Sequence, residues 1–316
     1  MIVTVTPNPS LDRTLFLNSF IRGAVNRCTG ALVEPSGKGI NVGLALHGHG
    51  LPVVALFPVG GPAGDQLVQL LDLAGLRCRT VPITGTVRTN VSMIEADGTT
   101  SKLNEPGPTL TSEEVAELIQ TMIDSCTSAD WLVICGTLPS GFSERHLVEA
   151  IGKARSADLR VAVDTSGTTL RAVLDAMPEL VKPNTHELAQ VTGRRLQTVG
   201  DVTAAANLLL AKGLGTVLIS LGRDGAVLVD GNGALHGRTG TVAAVNTVGA
   251  GDAFLAGYLA ADANVSSPAD RLSSALRWGA TAVQHQGTLF AQVDDRVPVF
   301  VAAADPSVTL SEPASP

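Results

Sequence analysis

The chain has 316 residues, 45% of them hydrophobic, which is enough to bury a large core in one α/β domain with room for a small appendage. Its 22 basic residues against 29 acidic ones leave a formal charge of −7, which argues against a nucleic acid partner because phosphate-backbone binding needs a concentrated basic face. No apolar run reaches the roughly 18 to 20 residues that span a bilayer, and "MIVTVTPNPSLD" lacks a basic region ahead of an apolar one, so a cytoplasmic protein with no membrane partner is expected.

In chain order, "MIVTVTPNPS" reads as a first strand. Residues 12–35 then alternate polar with apolar and have no helical period. The glycine cluster "SGKGINVGLAL", Ser36 to Leu46, leads into a helix and lets a small polar ligand approach the backbone, with Lys38 and Asn41 projecting towards it. It is not a nucleotide P-loop, because G-x-x-x-x-G-K-S/T would need glycine at Leu32 and Ser or Thr at Gly39. No G-x-G-x-x-G follows a strand either, which disfavours a dinucleotide site. "PVVALFPVGG" reads as a strand of the same sheet, and "GGPAGD", Gly60 to Asp65, as a structural turn before a helix.

Residues 87–104, "VRTNVSMIEADGTTSKLN", read as a hairpin turning at Asp97-Gly98, with Arg88, Asn90 and Ser92 on one face and Lys102 and Asn104 sharing a face of the return arm. From about Ala129 the strands "WLVIC", "LRVAVD", "ELVKPN" and "TVLISLG" alternate with helical segments, two of which close on Gly193 and Gly213. That alternation predicts a mostly parallel central sheet covered by helices. The expected organisation is a main α/β domain (1–11, 36–86 and 105–305), a small β lid (12–35 and 87–104) and a flexible tail (306–316). Cys28, Cys78, Cys126 and Cys135 are scattered and read as ordinary buried thiols, outside any zinc or disulfide pattern.

The most informative stretch is "NTVGAGDAFLAGYLA". Glycines at the mouth of a helix let an anion approach unpaired N–H groups, so "TVGAGD" predicts an anion cradle opening a helix over 253–261. Asp252 beside it is either a helix cap or a general base for phosphoryl transfer, in which a carboxylate takes the proton of the attacking hydroxyl.

"PSGKGINV" and "NTVGAGDAFLAG", supported by "VKPNTHE" and "SLGRDGA", together resemble the ribokinase/PfkB carbohydrate kinase superfamily over nearly the whole chain. Within it, "TPNPSLD", "RGAVNR", "VRTNV", "CGTLPSG" and "LVKPN" look most like the 1-phosphofructokinase branch and its tagatose-6-phosphate kinase neighbours. The resemblance implies a ribokinase-like fold with a β lid, ATP and Mg²⁺ as cofactors, and phosphorylation of a ketohexose phosphate, here fructose 1-phosphate to fructose 1,6-bisphosphate. It also implies pairing of two subunits, as a homodimer, through the lid. Carried over, Asp252 is the base and Gly249, Ala250 and Gly251 the anion hole. Asp12, Gly37, Gly39 and Asn41 line the sugar site, and Lys38, Arg88 and Lys102 are candidates for the substrate's existing phosphate. Lys182, Asn184, Ser220, Gly222 and Gly225 would contact ATP, with Asn184 and Glu187 holding the metal directly or through water. "QHQGTLF" is loosely similar to the family's C-terminal region, where a monovalent-cation site would lie. Ser36 and Thr137 depart from the family's usual glycine and serine. Alternatives are a tagatose-6-phosphate or fructose-6-phosphate kinase, or a catalytically silent sugar-phosphate sensor.

Overall fold

The computed structural model describes residues 1–126, 131–243, 245, 247–264, 266–285 and 293–316. The chain opens with β1 (Ile2–Val5), β2 (Ser10–Leu17), β3 (Gly30–Ser36) and α1 (Lys38–Gly48), followed by β4 (Val53–Val59), α2 (Gly61–Leu73) and β5 (Cys78–Pro82). A hairpin of β6 (Arg88–Glu95) and β7 (Thr100–Asn104) comes next. Helix and strand then alternate through α3 (Ser112–Asp124), β8 (Trp131–Cys135), α4 (Glu144–Ser156), β9 (Arg160–Asp164), α5 (Gly167–Leu174) and β10 (Leu180–Val181). They continue through α6 (Thr185–Thr192), β11 (Leu196–Thr198), α7 (Val199–Leu210) and β12 (Thr216–Ser220). The chain closes with β13 (Ala226–Asp230), β14 (Gly233–Thr239), α8 (Ala250–Asp262), α9 (Pro268–Ala282), β15 (Val299–Ala303) and β16 (Thr309–Ala314).

This is the α/β ribokinase-like architecture. The main sheet runs β15-β14-β13-β12-β10-β9-β8-β1-β4-β5, parallel from β12 to β5, with β13, β14 and β15 joined antiparallel at one edge. Its inner strands are buried on both faces because alternate residues serve opposite helix layers. Trp131, Val133 and Ala162 pack with α1, α8 and α9, whereas Leu132, Ile134, Val161 and Val163 pack with α3 and α4. Among the described residues no helix is long and apolar enough to cross a membrane.

A separate four-stranded sheet, in the order β3-β2-β6-β7, is built from the two alternating segments. Its hairpin turns at Asp97-Gly98, with Gly98 at a φ of 89°. β2 pairs parallel with β6, so Ser10 faces Arg88, Asp12 faces Asn90 and Thr14 faces Ser92. β7 adds Asn104 beside Asn90 and Lys102 beside Ser92.

Three expectations are corrected. Residues 306–316 do not form a flexible tail: β16 pairs antiparallel with β11 and buries Leu310 and Ala314, two residues of one strand face that complete the core around α6 and α7. Helix α8 begins at Ala250 rather than 253, because Gly249, at a φ of 80°, takes the position ahead of the helix and draws Gly251 and Asp252 into its first turn. Cys28 is exposed rather than buried, since it lies in the loop between β2 and β3, outside the packed layers.

Helix α8 runs the length of the sheet. The rise from Asp252 to Asp262 is roughly 15 Å at about 1.5 Å per residue, close to the span of a five-residue strand such as β8. At the far end Asp262, almost fully buried, accepts both terminal nitrogens of Arg160 (2.7 and 3.1 Å), pairs with Arg271 (3.1 Å) and accepts from the Trp131 indole (2.9 Å). The Arg160 guanidinium also lies 4.0 Å above the Trp131 ring. Burial opposes ionisation of Asp262, but Arg160, the indole and Arg271 outweigh it and hold the carboxyl below its usual value. Asp262→Ala would leave two cations and an indole N–H without their acceptor, and is expected to cost about 2–4 kcal/mol in urea unfolding. Asp262→Asn, which keeps one carbonyl oxygen, should cost less.

Candidate active site

In an open α/β sheet a ligand is expected beyond the carboxyl ends of the strands, where the strand order reverses. Here that point is β1, whose neighbours β4 and β8 lead away in opposite directions. Asn8, just past β1, reaches Thr137, just past β8, through Nδ2 (3.4 Å). A cleft of about 310 Å³ lined by Thr137, Pro139, Ser140, Phe142, Thr165 and Ser166 opens on the β8–β9 side. A hollow of about 360 Å³ at Asp72, Gly75, Arg77 and Cys78 lies at the opposite end of the sheet, where β5 begins, and holds none of the groups discussed below.

Two helices aim their first turns at this region, α1 from Gly37 and α8 from Gly249, and neither has a side-chain cap. Of the other helices, α3, α4, α6, α7 and α9 are closed by reciprocal capping boxes, whereas α2 and α5 also lack a side-chain cap. Uncapped first turns keep N–H groups open to an anion. Gly39 is required by space: a methyl group there would stand 2.5 Å from the Val5 carbonyl oxygen, so α1 can sit against the end of β1 only as glycine.

Asp252 is buried and accepts a hydrogen bond from Asn41 Nδ2 (2.8 Å), which joins the first turns of α8 and α1. The capping position belongs to Gly249, so the Asp252 carboxylate is not used as a helix cap. One strand away, the fully buried Asp164 at the end of β9 holds two lysines, Lys38 Nζ at 3.0 Å and Lys182 Nζ at 3.1 Å. Lys182 reaches the cradle as well: a methyl group on Gly251 would lie 3.6 Å from its Nζ.

The four charges set one another. Burial, reinforced by Asp164, pushes the Asp252 carboxyl up to about 6, against the pull of Asn41, Lys38 and Lys182. Burial works against the charge on Asp164 too, but Lys182 and Lys38 prevail and hold it below its usual value. Burial likewise opposes the Lys38 ammonium, and Asp164, with Asp252 and Glu187, more than offsets it and raises its pKa.

The small sheet contributes a polar face. Asp12 accepts from Ser10 Oγ (2.8 Å) and Asn90 Nδ2 (2.9 Å). Glu34 stands directly opposite Asp12 in register, and burial together with the Asp12 charge raises its pKa. Arg88 donates through its terminal nitrogens to the carbonyls of Asn8 and Glu105 (both 3.1 Å), tying the small sheet to the end of β1. Lys102 is exposed and sits beside Ser92, four register pairs from the Ser10–Arg88 row. Buried polar atoms with no hydrogen-bond partner among the described residues include Thr6 Oγ1, Asn8 Oδ1, Asn41 Oδ1, Arg88 Nε and Asn90 Oδ1. Native interiors rarely leave such atoms unpaired, and their gathering at this end of the sheet suits a hydroxyl-rich anionic ligand.

On the other side, Asn184 caps α6 and exchanges hydrogen bonds with Glu187: Asn184 Oδ1 accepts from Glu187 N (2.9 Å) and Glu187 Oε2 from Asn184 N (2.8 Å). Ser220 donates its N–H to the Pro183 carbonyl (3.2 Å) and receives the Thr185 hydroxyl on its own carbonyl (3.2 Å). Gly222 and Gly225 follow in the tight loop to β13, at φ of 62° and 89°. Most of "QHQGTLF", with the monovalent-cation site expected there, lies outside the described residues.

Sequence reasoning missed Asp164, Asn8 and Ser10. Asp164 carries a readable signal, a carboxylate closing the apolar strand "LRVAVD" at the carboxyl end where parallel sheets bind ligands. Because the Asp252 carboxyl is pushed up from 3.8 to about 6, its contribution to stability is fully present below pH 4 and is lost as pH rises through 6. Asp252→Asn carries no charge to bury, so it should unfold at the same temperature as the parent near pH 4. By pH 8 it should be more stable by about 2–3 kcal/mol. Thermal unfolding from pH 4 to 8 measures the gap, and a constant gap would contradict the raised value.

Residues 8–295 match the model of the pfkB family carbohydrate kinases. The chain is 38% identical over 296 residues to a 1-phosphofructokinase of Haloferax volcanii, covering 93% of this chain and 95% of that one. It is 33% identical to the ATP-dependent 6-phosphofructokinase isozyme 2 of Escherichia coli over 95% and 97% of the two chains. The crystal structure of Escherichia coli phosphofructokinase-2 in complex with potassium superposes with a TM-score of 0.87 at 33% identity, covering 91% of this chain and 94% of that one. With the glycine-capped helices and the buried Asp252 in the places where both signatures fall, the chain belongs to the pfkB family of carbohydrate kinases.

Proposed function

We propose that the protein transfers the terminal phosphoryl group of ATP to fructose 1-phosphate, giving fructose 1,6-bisphosphate and ADP. The observation that carries this reading is a buried carboxylate with a raised pKa, Asp252, held by Asn41 in the open first turn of α8 beside the Lys182 ammonium. In this reading Asp252 accepts the proton of the sugar hydroxyl as its oxygen bonds to the terminal phosphorus, and the bond from that phosphorus to the bridging oxygen breaks to release ADP. The N–H groups of Gly249, Ala250 and Gly251, with Lys182, hold the charge on the transferring group.

Asp12 would accept hydrogen bonds from sugar hydroxyls, with Gly37, Gly39 and Asn41 lining the pocket. Lys38, Arg88 and Lys102 would receive the existing phosphate; Arg88 can offer Nε without releasing either carbonyl it holds. Lys182, Asn184, Ser220, Gly222 and Gly225 would contact ATP. Mg²⁺, bound with ATP, would supply charge neutralisation at the phosphates. The Asn184–Glu187 pair, each already committed to the other's backbone, fits contact through its water shell better than direct ligation. The small sheet is proposed as a lid. The exposed Phe16, Phe20, Ile21, Leu32 and Leu103 on it and its loop support pairing with a second subunit.

Fructose 6-phosphate as acceptor is the second reading, favoured by the relative named a 6-phosphofructokinase. An ADP-release assay over fructose 1-phosphate, fructose 6-phosphate, tagatose 6-phosphate, fructose and ribose decides between them. The highest kcat/KM is expected for fructose 1-phosphate, and no turnover of any sugar would leave a sensor. Asp252→Asn should lower kcat by roughly 10²- to 10⁴-fold while sugar phosphate still binds. In the parent enzyme kcat/KM should fall as pH drops below about 6, where the base becomes protonated.

A further inference from the structure

The loop Ser220–Gly225 is held from two sides. Its inner side is knit to the Pro183–Thr185 segment that follows Lys182, through the Ser220 N–H and the Thr185 hydroxyl. Its outer side is held by the C-terminal strand. The Asp224 carboxylate accepts the backbone N–H of Ser311 (2.7 Å) on one oxygen and the Ser311 hydroxyl (2.6 Å) on the other. Arg223 and Glu312 form an ion pair at 3.4 Å alongside, and the Asp224 carbonyl meets His236 Nε2 at 2.9 Å. Between these anchors Gly222 is exposed, and a side chain there would meet no atom within 4 Å. The loop thus has a firm back and an open front.

The brace is itself well seated. β16 is fixed by pairing with β11 and by burial of Leu310 and Ala314 in the cluster around α6 and α7. The segment ahead of it accepts the N–H groups of Val199 and Gly200 on the carbonyls of Val308 and Pro306. Two short hydrogen bonds to one carboxylate are charge-assisted and directional, so they fix where Asp224 stands and with it the path of the backbone from Leu221 to Gly225. A surface ion pair such as Arg223–Glu312 adds little by itself.

We propose that β16 is a positioning element of the nucleotide site: Ser311, through Asp224, sets the loop Ser220–Gly225 in the conformation that receives ATP. The inference rests on the reading of that loop as a nucleotide contact. On this view ATP binds a preformed loop, and loosening the brace makes nucleotide binding bear the cost of ordering it. The sugar side, built from the small sheet and the Gly37 loop, does not share the brace.

The test compares Ser311→Ala, Ser311→Thr, Asp224→Asn and the double variant Ser311→Ala/Asp224→Asn. KM for ATP, KM for the best sugar phosphate, kcat and melting temperature are measured for each. Ser311→Ala should raise KM for ATP by about 3- to 10-fold while kcat and the sugar KM stay within about twofold, and Ser311→Thr should restore it. Asp224→Asn should raise KM for ATP at least as much, and the double variant should be no worse than Asp224→Asn. An unchanged KM for ATP in Ser311→Ala and Asp224→Asn overturns the proposal, as does an equal rise for both substrates or a lowered melting temperature alone. If the parent turns over no sugar, calorimetric titration with ADP takes the place of KM. Weaker ADP binding in Ser311→Ala then supports the brace although the kinase reading has failed. ADP binding equal in all variants overturns the brace, and no ADP binding by the parent overturns the nucleotide reading and the brace together.

Discussion

Helix α8 is fastened at both ends by a buried carboxylate, and the site depends on that fastening. Asp262 at its last turn gathers Arg160, Arg271 and the Trp131 indole at the amino ends of β8 and β9. Asp252 in its first turn meets Asn41 at the carboxyl ends of the same strands. An α-helix is stiff along its axis, so fixing the lower end fixes the height of the upper one. The body of the helix is almost continuously buried from Ala253 to Ala260 against α1, α9 and the sheet, which leaves it little room to slide or turn. The group with the raised pKa is therefore placed by packing and hydrogen bonds throughout the layer.

Around Asp252 the charges balance, with Asp252 and Asp164 set against Lys38 and Lys182. Burying Asp252, Asp164 and Lys182, with Lys38 half-exposed beside them, is tolerable because each meets an opposite charge or a hydrogen-bond donor. The balance also makes the cluster responsive. An anion arriving at the open turns of α1 and α8 competes with Asp164 for ammonium groups already in place, so little reorganisation is needed to receive it. Lys38 opens α1 and Lys182 follows β10, next to the Pro183 carbonyl that accepts the Ser220 N–H, so one carboxylate joins the turn of α1 to that segment.

Much of this was readable in the chain. Apolar runs such as "WLVIC" and "TVLISLG", alternating with helical segments, read as strands of a helix-covered sheet, and they are β8 and β12 of it. The hairpin at Asp97-Gly98 was set by local backbone geometry, which a sequence carries directly. The two uncapped helix turns were legible from their glycines, Gly37 and Gly39 at α1 and Gly249 to Gly251 at α8. It was not legible where partners meet only through the fold: nothing local to "LRVAVD" says that Asp164 will hold Lys38, 126 residues away. The C-terminal strand was missed for a related reason. "TLSEPASP" has the polar, Ser- and Pro-rich composition of a tail, and its order comes from the open edge of β11 and the Asp224 carboxylate, both supplied by distant parts of the chain.

The place of β1 has a consequence for how the molecule is made. Strand β1 precedes both of its neighbours in the chain, yet it is an interior strand of the main sheet, flanked by β4 and β8. Its two sides close at different times: β4 is available early, but β8 begins only at Trp131. Until then "IVTV" presents an unpaired edge and apolar side chains, the kind of surface that other nascent chains can capture. Closing contacts such as Asn8 with Thr137, 129 residues apart, are non-local, and topologies of this kind fold slowly. The strand at which the order of the sheet reverses is thus also exposed to misassembly during synthesis, so substitutions in β1 should lower the yield of folded protein.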